Sequence, residues 1–158
     1  MKTKWYNKTL ILLLSLCSFN AFAQNETQAE VELKLTDKAT NTSHSYKLYG
    51  ANYSLSNPFY AQEEGKLINN GSCSISIELG QNPDEFLFKW MSGQLKNTSG
   101  VITVVTVSDI KKPRIISFTD GQLAGSSESF YVTGGGTSPQ MSFYVKTLAI
   151  DGTTVFSQ

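Results

Sequence analysis

His44 is the only histidine in the 158-residue chain. A zinc or copper site needs several His, Cys or carboxylate ligands at defined spacing, and none flank it at such spacing. Its other classical use would be as the base of a Ser-His-Asp set, whose members can lie far apart in sequence. No serine stands in the G-x-S-x-G turn that exposes such a nucleophile. His44 therefore reads as a surface residue at the start of a strand. Glu63 and Glu64 could form an acid/base pair, but adjacent carboxylates in a polar loop are ordinarily solvated. The triple glycine at 134–136 lacks the Gly-Lys-Ser/Thr that completes a phosphate loop. Asp120-Gly121 and Asp151-Gly152 do not continue into a calcium-ligand ladder. The sequence predicts no catalytic residue, no metal and no cofactor, which favours a packing or assembly module over an enzyme.

The elements that would position any site begin after a leader. Lys2, Lys4 and Lys8 form a basic start and residues 9–19 a short apolar core. Ala21-Phe22-Ala23 supplies the small-x-small pattern of a cleavage site. The apolar core is shorter than the ~20 residues a membrane span needs. The expectation is a signal peptide at 1–23 and one mature domain at 24–158, exported to the periplasm or beyond, with no membrane insertion after cleavage. Cys17 follows the bulky Leu16, which does not suit lipidation.

Removing 23 residues from 158 leaves 135, the length of one domain. Three of the 13 basic residues leave with the leader and none of the 13 acids, so the domain carries 10 against 13, a formal charge of −3. That weak, dispersed negative charge argues against nucleic acid and against anionic membranes as partners. Only Cys73 remains, so no disulfide can form within the domain, and the core or self-association must hold the fold. Cys73 alternates with Ile75, Ile77 and Leu79, which turns it inward as a small apolar side chain.

Val31, Leu33 and Leu35 alternate with Glu30, Glu32 and Lys34, the pattern of a half-buried strand. In the next strand, over about 44–55, the apolar phase shifts beside Gly50, which predicts a bulge or bend. A third strand spans 73–79. One short helix follows, read with Asn82 as N-cap, Pro83 at the first helical position and Glu85 closing a capping box. Phe86, Leu87, Trp90 and Met91 share a face and serve as its core anchors, while Gly93 stops it. A helix this short is stable only when packed. Residues 101–107 are apolar on both parities and read as a strand covered on both sides. Short strands at 115–118 and 130–132 are joined by Asp120-Gly121 and a Gly/Ser-rich linker. Met141, Phe143 and Val145 begin a last long strand, and Asp151-Gly152 marks a hairpin. The sum is a mainly β fold: a small β-barrel of about eight strands with one flanking α-helix.

The stretch 56–71 has neither period and is long for a passive connection. It holds Asn57, Pro58, Phe59, Tyr60, Glu63 and Glu64. Phe59 and Tyr60 are its plausible interface anchors, since aromatics dominate binding energy.

From Tyr46 onward the chain resembles the haemolysin-coregulated protein (Hcp) family, the tube protein of type VI secretion, in its Bacteroidetes-like form. The acidic, aromatic segment Glu85-Phe86-Leu87-Phe88-Lys89-Trp90-Met91 carries the resemblance, set between Ser74-Ile75-Ser76-Ile77 and Gly100-Val101-Ile102-Thr103. Residues 115–123 and Met141-Ser142-Phe143-Tyr144-Val145 are similar to two further family strands. The resemblance implies a non-enzymatic, Hcp-like barrel that assembles with itself into six-membered rings and stacked tubes, with secretion-apparatus components or effectors as further partners. It also implies that the 56–71 loop reaches the neighbouring ring, making Asn57, Pro58, Phe59, Tyr60, Glu63 and Glu64 the candidate stacking residues. Such subunits assemble in the cytoplasm without a leader, and in this the chain departs from the pattern. An exported binding or adhesion module is the alternative, and a secreted hydrolase is disfavoured by the poor catalytic inventory.

Overall fold

The computed structural model describes residues 29–56, 71–106, 112–129 and 139–158, together with the backbone of 62–63 and 66–67. Nine strands form one antiparallel sheet: β1 (Glu30–Asp37), β2 (Thr42–Ser56), β5 (Ser72–Leu79), β6 (Thr98–Val105), β7 (Arg114–Thr119), β8 (Gln122–Ser127), β9 (Gln140–Tyr144), β10 (Thr147–Ile150) and β11 (Thr153–Ser157). Their order is β11-β10-β7-β6-β1-β2-β5-β9-β8. A separate short ladder joins β3 (Gln62–Glu63) to β4 (Lys66–Leu67). The one described helix is α1 (Glu85–Met91). The fold is mainly β: the pairing order ends in β8 and β11 and counts nine strands where about eight were expected, and this order alone does not show the expected closed barrel.

Alternation places the core. Leu33 and Leu35 of β1 are fully buried while their neighbours Glu32 and Lys34 are exposed. On β5 Cys73, Ile75, Ile77 and Leu79 all face in, as the period of two requires. The inward set continues through Ile102, Phe118, Met141, Phe143, Leu148 and Phe156, one contiguous cluster.

β2 is long because it turns a corner. Its first half pairs with β1 up to Val31↔Leu48, and its second half pairs with β5 from Leu48↔Leu79 to Ser56↔Ser72. The register shifts between Leu48 and Gly50, where the sequence places the bulge. After the shift Tyr53 and Leu55 lie opposite Ile75 and Cys73 on the core face.

Two long segments bend in the same way. β7 and β8 are separated only by Asp120-Gly121, and β9 and β10 only by Val145-Lys146. The pairs Thr119↔Thr147 and Gln122↔Tyr144 share one register across that gap. Lys146 N–H donates to the Thr119 carbonyl and Val145 N–H to the Cys73 carbonyl, which carries the backbone bonding through the bend. The strand β8 corrects the expectation of a Gly/Ser-rich linker: small residues extend there because β9 offers a ladder. The expected strand at 130–132 and the glycine run at 134–136 lie outside the described residues.

β6 also differs from expectation. Gly100 and Ile102 are buried, but Val101 on the opposite face is 36% exposed, so the strand is covered on one side only. Gly100 lies opposite Phe118, whose ring fills the space a side chain would take. Asp151 and Gly152 both adopt positive φ, of 50° and 84°, which suits the tight β10–β11 turn. The Asp151 carboxylate accepts from Ile115 N–H at 2.9 Å and ties that turn to β7.

Candidate assembly surface

The helix seats on the sheet through its predicted face. Leu87 and Trp90 are buried, and Phe86 and Met91 pack half-buried against the same core. Trp90 meets Phe143 edge-on at 5.0 Å, and its indole N–H donates to the buried Thr98 hydroxyl at 3.0 Å. That bond satisfies the one polar group a buried indole brings with it. Gly121 lies against the indole, where a Cβ would approach to 2.8 Å.

The N-terminus of the helix corrects the sequence reading. The cap is Asp84, in extended backbone, rather than Asn82. Asp84 Oδ1 accepts from Leu87 N–H and from the Tyr46 hydroxyl, both at 2.8 Å, and Oδ2 lies 2.6 Å from His44 Nδ1. His44 in turn stacks on Phe86, with ring centroids 4.3 Å apart and planes 4° from parallel. His44 is therefore half-buried beneath the helix, not a free surface residue. Asn82 and Asp84 are both good caps by type; what selects Asp84 is its pair of partners on β2, some 40 residues away in sequence. Only a fold could bring these residues together.

The electrostatics follow. Burial pushes the Asp84 carboxyl up, but Leu87 N–H, the Tyr46 hydroxyl and His44 together hold it below its ordinary value. Burial, then the bond to Asp84 and its charge, raise the Tyr46 phenol. Burial likewise raises the Cys73 thiol, which disfavours the reactive thiolate. An ionised Asp84 can only accept, so His44 presents Nδ1–H to it. This resembles the orienting half of a triad, but the geometry around His44 holds the helix cap and two rings, and its chemical consequence is anchorage. Among the described residues no group of three or more His, Cys, Asp or Glu is placed to hold a metal ion.

The surface offers no aromatic platform among the described residues. Tyr49 projects from the β2 bulge, Tyr53 lies on the core face of β2, Tyr144 on the outer face of β9 and Phe88 on the solvent side of α1. A carbohydrate-stacking surface would need them on one face. Of the candidate loop residues, Asn57, Pro58, Phe59, Tyr60 and Glu64 lie outside the described residues; Glu63 pairs with Lys66 in the β3–β4 backbone ladder. No described helix is long and apolar enough to cross a membrane.

The sequence pattern of one family, haemolysin-coregulated protein Hcp (TssD), matches residues 26–157. The chain belongs to the Hcp family. Solved structures agree in fold. Hcp1 from Flavobacterium johnsoniae is 17% identical with a TM-score of 0.56, covering 79% of this chain and 98% of that one. Hcp1 from Salmonella typhimurium is 12% identical with a TM-score of 0.52, covering 75% and 84%. A chain of the sheath-tube complex of an extracellular contractile injection system is 13% identical with a TM-score of 0.50, covering 85% and 96%. At these identities the likeness is one of fold. No curated protein sequence matches the chain. In this chain α1 is held to the sheet by Trp90 and Asp84.

Proposed function

We infer that this Hcp-family chain is a non-enzymatic structural subunit that assembles with copies of itself into rings, and through them into a tube of the secretion or contractile-injection type. The observation that carries this reading is the match of nearly the whole domain to the Hcp family. The fold likeness to a sheath-tube complex supports it. A barrel form of the subunit is supported by the ribbon of β7–β8 against β9–β10. β6 pairs with one half of that ribbon and β5 with the other, so the path β1-β2-β5-ribbon-β6 returns to β1. The 56–71 loop, with Phe59 and Tyr60, is the proposed contact between stacked rings, and secretion-apparatus components or effectors are the proposed further partners.

Export is a further part of the proposal. The basic start, short apolar core and Ala21-Phe22-Ala23 favour cleavage after Ala23 and a ring assembled outside the cytoplasm. Intact-mass measurement on protein recovered from the envelope or medium is expected to show a chain beginning at Gln24; a mass that retains residues 1–23 would remove the export claim. Light scattering on the same protein tests the ring: a multiple of the monomer mass is expected, and a species that stays monomeric across a concentration series would favour the exported binding module instead.

A further inference from the structure

β2 has a strand on both sides for only part of its length. Its ladder with β1 ends at Val31↔Leu48, while its ladder with β5 runs unbroken from Gly50↔Glu78 to Ser56↔Ser72. Among the described residues, 49–56 therefore have β5 on one side and no strand on the other. The register shift lies at the root of this stretch, between Leu48 and Gly50, and not within it. On the open side alternate backbone amides and carbonyls need water or a further strand. The stretch holds no charge and no proline. Its core face is uncovered as well. Tyr53 and Leu55 lie opposite Ile75 and Cys73, each 1% exposed, yet are themselves 36% and 40% exposed.

The chain enters the sheet at the root of this edge. Where β1 and β2 part, a groove of about 730 Å³ opens, with Ala29, Val31, Leu48 and Tyr49 in its walls. Ala29 is the first described residue, so the segment before it departs from this groove. Carried on beyond its start, antiparallel to β2, β1 runs along the open edge. Val31, Leu33 and Leu35 set the core phase of β1, and the bulge shifts the count on β2 by one. Keeping that phase sets Ala29, Thr27 and Asn25 opposite Ala51, Tyr53 and Leu55 on the core face. It sets Gln28, Glu26 and Gln24 opposite Asn52, Ser54 and Ser56 on the outer face. Gln24 thus falls level with the last residue of β2, so the segment has the length of the edge. We propose that residues 24–29 extend β1 as a strap along the open edge of β2, completing the sheet past the bulge and covering Tyr53 and Leu55. The strap closes an edge that would otherwise template a strand from another chain. Its residue types have poor strand preference; it pairs because its covalent tie to β1 holds it beside the edge at high effective concentration. The pairing needs neither the ring nor cleavage after Ala23. Where the leader is removed, Gln24 becomes the free end of the strap.

Disulfide trapping on the full chain, recovered after expression, tests the strap. Ser54→Cys is combined in turn with Asn25→Cys, Glu26→Cys and Thr27→Cys. Ser54 is exposed and the native thiol of Cys73 is buried. After mild oxidation, peptide mapping by mass spectrometry identifies which cysteines are joined and whether they belong to one chain. A disulfide needs Cβ atoms within about 4.5 Å, which only directly opposed residues approach. The proposal expects the Glu26→Cys pair to join within one chain, about tenfold or more in excess of the other two pairs. No linkage, or linkage between chains, overturns it. Equal linkage in all three pairs also overturns it, since a segment that merely passes nearby would give that result. Hydrogen exchange across residues 50–56 gives a second reading, in the natural chain and in a variant carrying Thr27→Pro with Gln28→Pro. Adjacent amides point to opposite sides of a strand, so one of the two prolines removes a ladder donor. Exchange is expected to quicken about tenfold or more in the variant, and unchanged exchange overturns the strap.

Discussion

Trp90 concentrates the cost of detaching the helix. Its ring is buried against Phe143, and its indole N–H has Thr98 as its partner. Trp90→Ala is expected to destabilise the fold by about 3–5 kcal/mol, as deletion of a buried large aromatic does. Denaturant melts measure this, and a loss below about 0.5 kcal/mol would place Trp90 among ordinary surface residues. Asp84 gives the second prediction. Its folded carboxyl titrates below the ordinary value of 3.8, so its contribution is complete above that value and is lost as pH falls through the lower folded value. Asp84→Asn keeps a good cap residue but removes the titration. Stability of the variant is expected to fall less steeply on the acid limb of a pH series than that of the natural chain. Equal slopes would show that the Asp84 network does not titrate with folding. The anchors Leu87 and Trp90 were legible from spacing alone. The His44–Asp84–Tyr46 network was not, because sequence carries no signal for a contact between a strand and a helix 40 residues on.

At the scale of elements, periodicity was a sufficient guide where one face is buried. β1, β5 and the Met141-Phe143-Val145 run follow the rule of two, and the phase change at Gly50 marked a real bulge. It failed where side chains are small. β8 contains Ala124, Gly125, Ser126 and Ser127, a composition that reads as linker, and it is a strand because β9 lies beside it. It failed at β6 for another reason: valine and isoleucine on both parities measure strand preference as well as burial. Gly100 shows how tightly the elements meet. A Cβ there would stand 2.1 Å from the Phe118 ring, whereas one at Gly125 would meet nothing within 4 Å. Gly100→Ala is expected to cost about 1–3 kcal/mol or more, the range for overpacking. Gly125→Ala is expected to stay within about 0.5 kcal/mol. Thermal melts of the pair decide it, and equal stability of the two variants would mean that Phe118 moves aside freely.

For the whole molecule, the fold class and the family were readable from the order of elements around one aromatic helix. The bends were less readable, because β7–β8 and β9–β10 turn at Gly121 and Lys146, and two-residue gaps in a pattern do not report a bend. The free thiol of Cys73, the uncharged strands β8 and β11, and the family's pattern across residues 26–157 all bear on assembly. None of them requires chemistry at His44, Glu63 or Cys73. The central claim is that this chain is a ring-forming structural subunit. Negative-stain electron microscopy of the purified protein tests it most directly: the account predicts closed, hollow rings, alone or stacked, and a field of single compact particles at high concentration would contradict it.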